Sequence, residues 1–167
     1  MATSVERESF FSFWSKRSHR CDVDAMMLHH SAEKLHLLDR SDILASLPDL
    51  SGKDVVEVGA GIGRYTTALA ETARHVLSTD FIESFLKKNQ ELNGHRGNIS
   101  FQLGDAVNLR LQHSSADIVF TNWLMMYLNE MEVVQFLINA LTWLRPGGYI
   151  HMRESCSESS TGVKSLT

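Results

Sequence analysis

The run DVVEVGAGIGRY, from Asp54 to Tyr65, restricts the fold of this chain more than any other stretch. Val55, Val56 and Val58, with the acid Glu57 among them, lead into glycines at alternate positions, Gly59, Gly61 and Gly63. Helix-compatible sequence follows. A short apolar run before a glycine cluster predicts a strand and a tight turn. Glycine is required where the backbone takes positive φ or lets a ligand approach closely, and the next helix start offers unpaired N–H groups. Strand, glycine turn and helix together predict a nucleotide-like cofactor held on an α/β sheet.

The remaining chain alternates in the same manner. IGRYTTALAETA predicts a helix with Ile62, Tyr65 and Leu69 on one face, and HVLSTDF (75–81) a second strand. IESFLKKNQELN predicts a helix stopped at Asn93-Gly94. ISFQLGD (99–105) and ADIVFTNW (116–123) predict strands three and four. Asn129 to Glu132 fits a capping box, opening a helix through Leu144 with Val133, Phe136, Leu137, Ala140, Leu141 and Leu144 inward. Arg145-Pro-Gly-Gly148 then predicts a turn, and YIHMRES a fifth strand. Strands alternating with helices imply a parallel sheet covered on both faces, doubly wound because crossovers are right-handed.

Before the sheet, residues 1–50 predict an N-terminal helical lid or cap. Phe10, Phe11, Phe13 and Trp14 are spaced for one face of a short helix, and one or two helices follow, with Leu35, Leu38, Ile43, Leu44 and Leu47 inward. Residues 51–155 form the cofactor-binding core. Residues 156–167 are serine-rich and polar, and are expected to be a disordered tail.

Composition excludes some functions. Lys+Arg number 16 against 20 Asp+Glu, without a basic block, so a nucleic-acid partner is not suggested. Cys21 and Cys156 form no C-x-x-C pair, which suits a reducing compartment. Charges at Glu6, Arg7 and Glu8 interrupt any signal-peptide core, and no run reaches the roughly 18 apolar residues of a membrane helix. A cytoplasmic protein is the expectation. The histidines lack metal-ligand spacing, so no metal is expected.

In an open doubly wound sheet, ligands bind at the carboxyl ends of the strands. Asp80 closes strand two about twenty residues after the glycines, where a carboxylate accepts ribose hydroxyls. Asp105, beside Ala106, closes strand three, placed to accept from an adenine amino group. Asn122 and Trp123 close strand four. A dinucleotide site needs G-x-G-x-x-G to admit a pyrophosphate, whereas the spacing here is G-x-G-x-G. Glu57 would repel a pyrophosphate but suits a cofactor bearing an ammonium and a sulfonium. Arg64 and Phe81, next to the glycine turn and Asp80, complete the predicted cofactor set.

The E-x-G-x-G-x-G pattern with Asp80 and Asp105 resembles the class I S-adenosylmethionine-dependent methyltransferases. AMMLHHSA (25–32), VGAGIGRYT, STDFIESFLKKNQELNGH, NWLMMYL (122–128) and RESCSE (153–158) look more narrowly like the N-terminal-type domain of the plant and nematode phosphoethanolamine N-methyltransferases, over about residues 10–162. That resemblance implies a Rossmann-like sheet of order 3-2-1-4-5, S-adenosyl-L-methionine as cofactor, and methylation of the primary amine of phosphoethanolamine towards phosphocholine. It implies an acceptor site near Tyr127, which would orient or deprotonate the amine, with help from His29 or His30. A phenol has a high reference pKa, near 10, and needs that help to act as a base. At His29 the plant-type members carry an acid. Trp123 would shape the methyl path or face a cationic amine. Met26, Met27, Met125 and Met126 suit packing better than chemistry.

Class I members add two strands after the fifth, and those strands are expected to be missing here, together with a Tyr-Arg-containing phosphate-binding stretch. Arg153 is the remaining phosphate candidate. Strand five would then be a bare edge, open to a protein partner. Two alternatives follow: a methyltransferase for another small acceptor, and a truncated, non-catalytic cofactor-binding form.

Overall fold

The computed structural model describes residues 4–17, 22, 23, 26 and 32–154. Two helices, α1 (Ser4–Arg17) and α2 (Ala32–Ser46), precede five strands: β1 (Asp54–Val58), β2 (His75–Asp80), β3 (Ile99–Leu103), β4 (Ala116–Asn122) and β5 (Leu144–Arg153). Between them lie α3 (Thr66–Thr72), α4 (Glu83–Asn93), a 3₁₀ turn (Met125–Tyr127) and α5 (Glu130–Trp143). The sheet order is β3-β2-β1-β4-β5, and all pairs are parallel. This is the predicted doubly wound sheet. None of the described helices is long and apolar enough to cross a membrane.

Alternation along β1 builds two cores. Val55 packs with Ile43, Tyr65, Leu69, Val76, Ile118 and Phe120 on one face. Val56 and Val58 pack with Val119, Phe136, Ala140 and Trp143 on the other. Glu57 shares the face of Val55, and it is 1% exposed. Register puts the carboxyl ends on one rim: Val58 pairs with Thr79 and Thr121, Asp80 with Leu103, and Asn122 with Arg153. At the opposite end Arg145 donates to Asp117 (2.9 Å) and Asp54 (2.8 Å), tying β1, β4 and β5 together.

Several boundaries differ from expectation. The helix after the glycines begins at Thr66, because Gly63 has φ +88° and residues before Thr66 form turns. Strands two, three and four end at Asp80, Leu103 and Asn122. Arg145 to Gly148 is a bulge inside β5, not a turn before it. Leu144 already pairs with Ala116, and the register shifts before Tyr149 meets Ile118. Leu141, expected inward, is 64% exposed, and Trp143, not part of the expected stripe, is buried instead. The capping box forms as expected, Asn129 Oδ1 accepting from Glu132 N and Glu132 Oε2 from Asn129 N. Gly94 caps α4 with φ −66°, so its role is steric: a Cβ there would lie 2.5 Å from the Gln90 carbonyl. The tail, residues 156–167, lies outside the described residues.

Candidate active site

A cleft of about 710 Å³, open solvent at its mouth included, lies at the carboxyl ends of β1, β2 and β4. Glu57, Gly59, Arg64, Asp80, Phe81, Asn122 and Trp123 line it, joined by Tyr127. A neighbouring lobe of about 460 Å³ shares Gly59, Phe81, Leu124 and Tyr127 with the cleft and adds Asp105 and Ala106. Of the sequence-derived cofactor set, Glu57, Gly59, Arg64, Asp80, Phe81, Asp105, Ala106, Asn122 and Trp123 line these two adjoining spaces, Gly61 and Gly63 line neither, and Tyr127 stands at the boundary. His29 and His30 lie outside the described residues.

The turn after β1 is shaped by backbone bonds. Gly59 N and Ala60 N both donate to Thr79 O, at 3.0 and 2.9 Å, which folds the chain sharply onto β2. Gly59 and Gly61 take φ +74° and +56°. Gly63 faces away from the cleft: a Cβ there would lie 2.2 Å from Asn89 Oδ1. That glycine serves the packing of the turn on α4.

The two buried acids at the rim hold protons unusually tightly. Burial pushes Glu57 up to about 7, opposed by hydrogen bonds from Thr66 and Ser78. Burial likewise pushes Asp80 up to about 6, opposed by backbone N–H donors. Asp80 Oδ2 accepts from Gly61 N and Oδ1 from Ile82 N, both at 2.8 Å. Asp80 thus pins the glycine turn to the start of α4 while lining the cleft. Asp105 Oδ2 accepts from Asn108 Nδ2 (2.7 Å), and Oδ1 from Val107 N (3.2 Å).

Past β4, Trp123 takes φ +57°, a strained setting for a bulky residue and one that concentrates at ligand sites. Its N–H donates to Arg153 O (2.8 Å), and Leu124 N donates to Glu154 Oε1 (3.0 Å). Those bonds, to the last residue of β5 and the residue after it, hold the strained turn. Arg64 sets its guanidinium 5.6 Å from the Trp123 ring centre, so a cation already faces that ring. Asn122 Oδ1 is buried with no hydrogen-bond partner among the described residues. A buried orphan acceptor is costly, and one lining a cleft calls for a donor from a ligand. Arg153 pairs with Asp39 of α2 at 2.6 Å, which engages the phosphate candidate within the fold.

Helix α1 lies across this end of the sheet. Trp14 lines the cleft and packs edge-on against Tyr127 and Phe85, with centroids 5.6 and 5.9 Å apart. Phe10 meets Tyr127 at 5.5 Å, and Phe11 meets Phe81 at 5.9 Å. Met125 packs against an apolar cluster, as expected, whereas Met26 packs against one and also lines the cleft. Trp14, Phe85, Thr66, Ser78 and Asn89 were not among the predicted site residues. The aromatic spacing of α1 carried the signal for Trp14. For Asn89 the signal was its place on the inward stripe of α4 with Phe85, Leu86 and Asn93, all buried. Among the described residues no group of three His, Cys, Asp or Glu could hold a metal.

The family model described as a methyltransferase domain matches residues 56–152. The chain belongs to this methyltransferase family. Phosphoethanolamine N-methyltransferase 1 of Caenorhabditis elegans is 63% identical over 95% of the chain and 34% of its own length. The protein of the same name from Triticum aestivum is 46% identical over 96% of the chain and 33% of its own length. Among solved structures, phosphoethanolamine N-methyltransferase 1 of Haemonchus contortus, in complex with phosphoethanolamine and S-adenosylhomocysteine, superposes with a TM-score of 0.91 at 63% identity, covering 97% of this chain and 35% of that one. The chain thus spans about a third of the length of these relatives. A Leishmania major S-adenosylmethionine-dependent methyltransferase shares the fold at 21% identity and a TM-score of 0.80, covering 91% of this chain and 62% of that one.

Proposed function

We propose that this methyltransferase domain binds S-adenosyl-L-methionine and transfers a methyl group to the amine of phosphoethanolamine. The observation that carries the proposal is the orphan Asn122 Oδ1 in a cleft that also holds Glu57, Asp80 and Tyr127. Its lining fits the cofactor chemically: buried acceptors suit an ammonium and a ribose diol, and Arg64 suits a carboxylate. The names and ligands of the nematode relatives favour the same substrate.

When bound, S-adenosylmethionine supplies a methyl group on a sulfonium, an electrophile strong enough that alignment is most of the task. Asp80 would accept from the ribose hydroxyls while keeping its backbone donors. Asp105 and Ala106 would receive the adenine in the adjoining lobe. Tyr127, between the two spaces, would accept from or orient the amine, which must lose a proton before it attacks. Asn122 would accept a ligand N–H. Helix α1, through Trp14 and Phe10, would act as a lid that keeps water out. Parts for His29 and His30 rest on sequence alone, and a cytoplasmic setting belongs to the same proposal.

A methyl-transfer assay with labelled cofactor over a panel of ethanolamine, phosphoethanolamine and small phenols tests this. Product from phosphoethanolamine is expected, and Tyr127→Phe should lower kcat about 100-fold with little change in KM. A folded chain that binds S-adenosylhomocysteine yet methylates nothing in the panel would instead favour the non-catalytic form. Exposed Tyr149 and Met152, 60% and 45%, on the edge strand β5 are the observation behind that second possibility. A stable hetero-complex formed through β5 would support it.

A further inference from the structure

Behind the glycine turn, five polar side chains form a hydrogen-bonded chain that ends on Glu57, and every donor points the same way. Thr67 Oγ1 donates to Asn93 Oδ1 (2.5 Å), and Asn93 Nδ2 donates to Asn89 Oδ1 (2.9 Å). Asn89 Nδ2 then donates to both Thr66 Oγ1 and Ser78 Oγ, each at 2.9 Å. Those two hydroxyls donate to the same carboxylate oxygen, Glu57 Oε2, at 2.5 and 3.0 Å. The hydroxyls lie 3.4 Å from each other, a weaker contact than either bond to Glu57. Thr66, Ser78, Asn89, Asn93 and Glu57 are all buried.

Each hydroxyl has one hydrogen to give. Because the Asn89 amide already fills a lone pair on each, both hydroxyl hydrogens are free for Glu57 Oε2. A proton on Oε2 would force one of these bonds to reverse and strand a buried hydroxyl hydrogen, at a real cost. Oε1 is the oxygen left over, on a residue that lines the cleft. Among the described residues, Asp80 at the end of β2 is the titratable group whose charge acts on Glu57; Arg64 and Tyr65 on the glycine turn line the same cleft, and Asp39 on α2 acts on those two. Facing it, β4 brings Phe120 and Asn122, and α4 brings neutral amides.

We propose that Asn89 is a positioning residue which, through Thr66 and Ser78, fixes Glu57 Oε2 as an acceptor, confines the Glu57 proton to Oε1, and so couples cation binding in the cleft to release of that proton. The inference depends on the proposed function only for the identity of the cation, the ammonium of the cofactor. The raised proton affinity of buried Glu57, about 7, puts the coupling in the neutral range.

Titration of the Glu57 side-chain carboxyl by carbon NMR, in the ligand-free full chain, reads the relay without any cofactor. A midpoint near 7 is expected. Thr66→Val keeps the shape but removes a donor, and should raise the midpoint by about one pH unit, tenfold in proton affinity. Thr66→Ser should restore it, and Asn89→Leu should raise it as Thr66→Val does. Calorimetry with S-adenosylhomocysteine at pH 6.5, in two buffers of different ionisation enthalpy, should show about three-quarters of a proton released. At pH 8.5 almost none should be released. Midpoints unmoved in folded Thr66→Val and Asn89→Leu would overturn the assignment, as would a Thr66→Ser shift equal to that of Thr66→Val. If the NMR shifts appear but S-adenosylhomocysteine does not bind, the cofactor identity fails and the role of Asn89 stands.

Discussion

The two sides of the sheet's carboxyl rim are finished to different degrees. On the β1–β2 side, polar side chains are buried and satisfied: Glu57, Thr66, Ser78, Asn89 and Asn93 all find partners within hydrogen-bond reach. On the β4–β5 side, Asn122 Oδ1 and Thr121 Oγ1 are buried without partners among the described residues. There Met131, Val134, Ile138 and Leu141 also run exposed along α5. A buried polar network is stabilising only when complete, since each unmade bond leaves a full desolvation cost. The first side is therefore a complete hydrogen-bonded frame. The second keeps groups that gain from a further contact.

This contrast can be tested from its strongest point downward. Gly63→Ala should be the most damaging change, at about 3 kcal/mol or more in denaturant unfolding. It combines positive φ with a Cβ set 2.2 Å from Asn89 Oδ1. A loss near 1 kcal/mol would mean that α4 shifts easily and the frame is softer than its hydrogen bonds imply.

Glu57→Gln comes next and should act in the opposite direction. Folding raises the proton affinity of Glu57 from an ordinary value of 4.5 to about 7. Between those values the folded chain holds a proton that the unfolded chain has released, so stability falls as pH rises and the loss is complete above 7. Asp80, raised from 3.8 to about 6, acts with the same sign at lower pH. Glutamine mimics protonated Glu57, so the variant should be about 3 kcal/mol more stable than the parent at pH 8 and equal to it at pH 4. Thermal unfolding across that range checks both the sign and the window.

Gly147 lies in the β5 bulge with φ +82° and open space around it. Gly147→Ala should cost only about 1 kcal/mol, from the backbone alone. The difference from Gly63→Ala isolates the collision with Asn89. Smallest of all, Leu141→Lys should change stability by less than about 0.5 kcal/mol, as is usual at exposed positions. A larger loss would show that the α5 stripe is covered in solution.

The legible part of this molecule was the part whose signals are local. Alternation in β1, the glycines after it and the Asn129–Glu132 box each announce their conformation within a few residues, and Asp80 follows from spacing along one βαβ unit. What escaped depended on partners distant in sequence. Asn89 looks like an ordinary polar helix residue until Thr66 and Ser78 stand opposite it. Arg145 to Gly148 has turn composition, yet Leu144 pairs with Ala116 before the bulge, and Arg145 is held by Asp54 and Asp117. Helix α3 looked longer because Ile62 and Tyr65 share its apolar period, while Gly63 keeps them in turns. For Tyr127 the sequence offered a phenol past β4, and its place between two spaces needed the 3₁₀ turn and α1 in position.

Whether the β1–β2 side alone holds the cofactor is decided by calorimetric titration of the folded chain with S-adenosylhomocysteine. Saturable one-to-one binding is expected at pH 8, weakened about 30-fold or more by Glu57→Gln, or about 2 kcal/mol. A folded chain that gives no saturable heat, or a Glu57→Gln variant that binds as tightly as the parent, would contradict it.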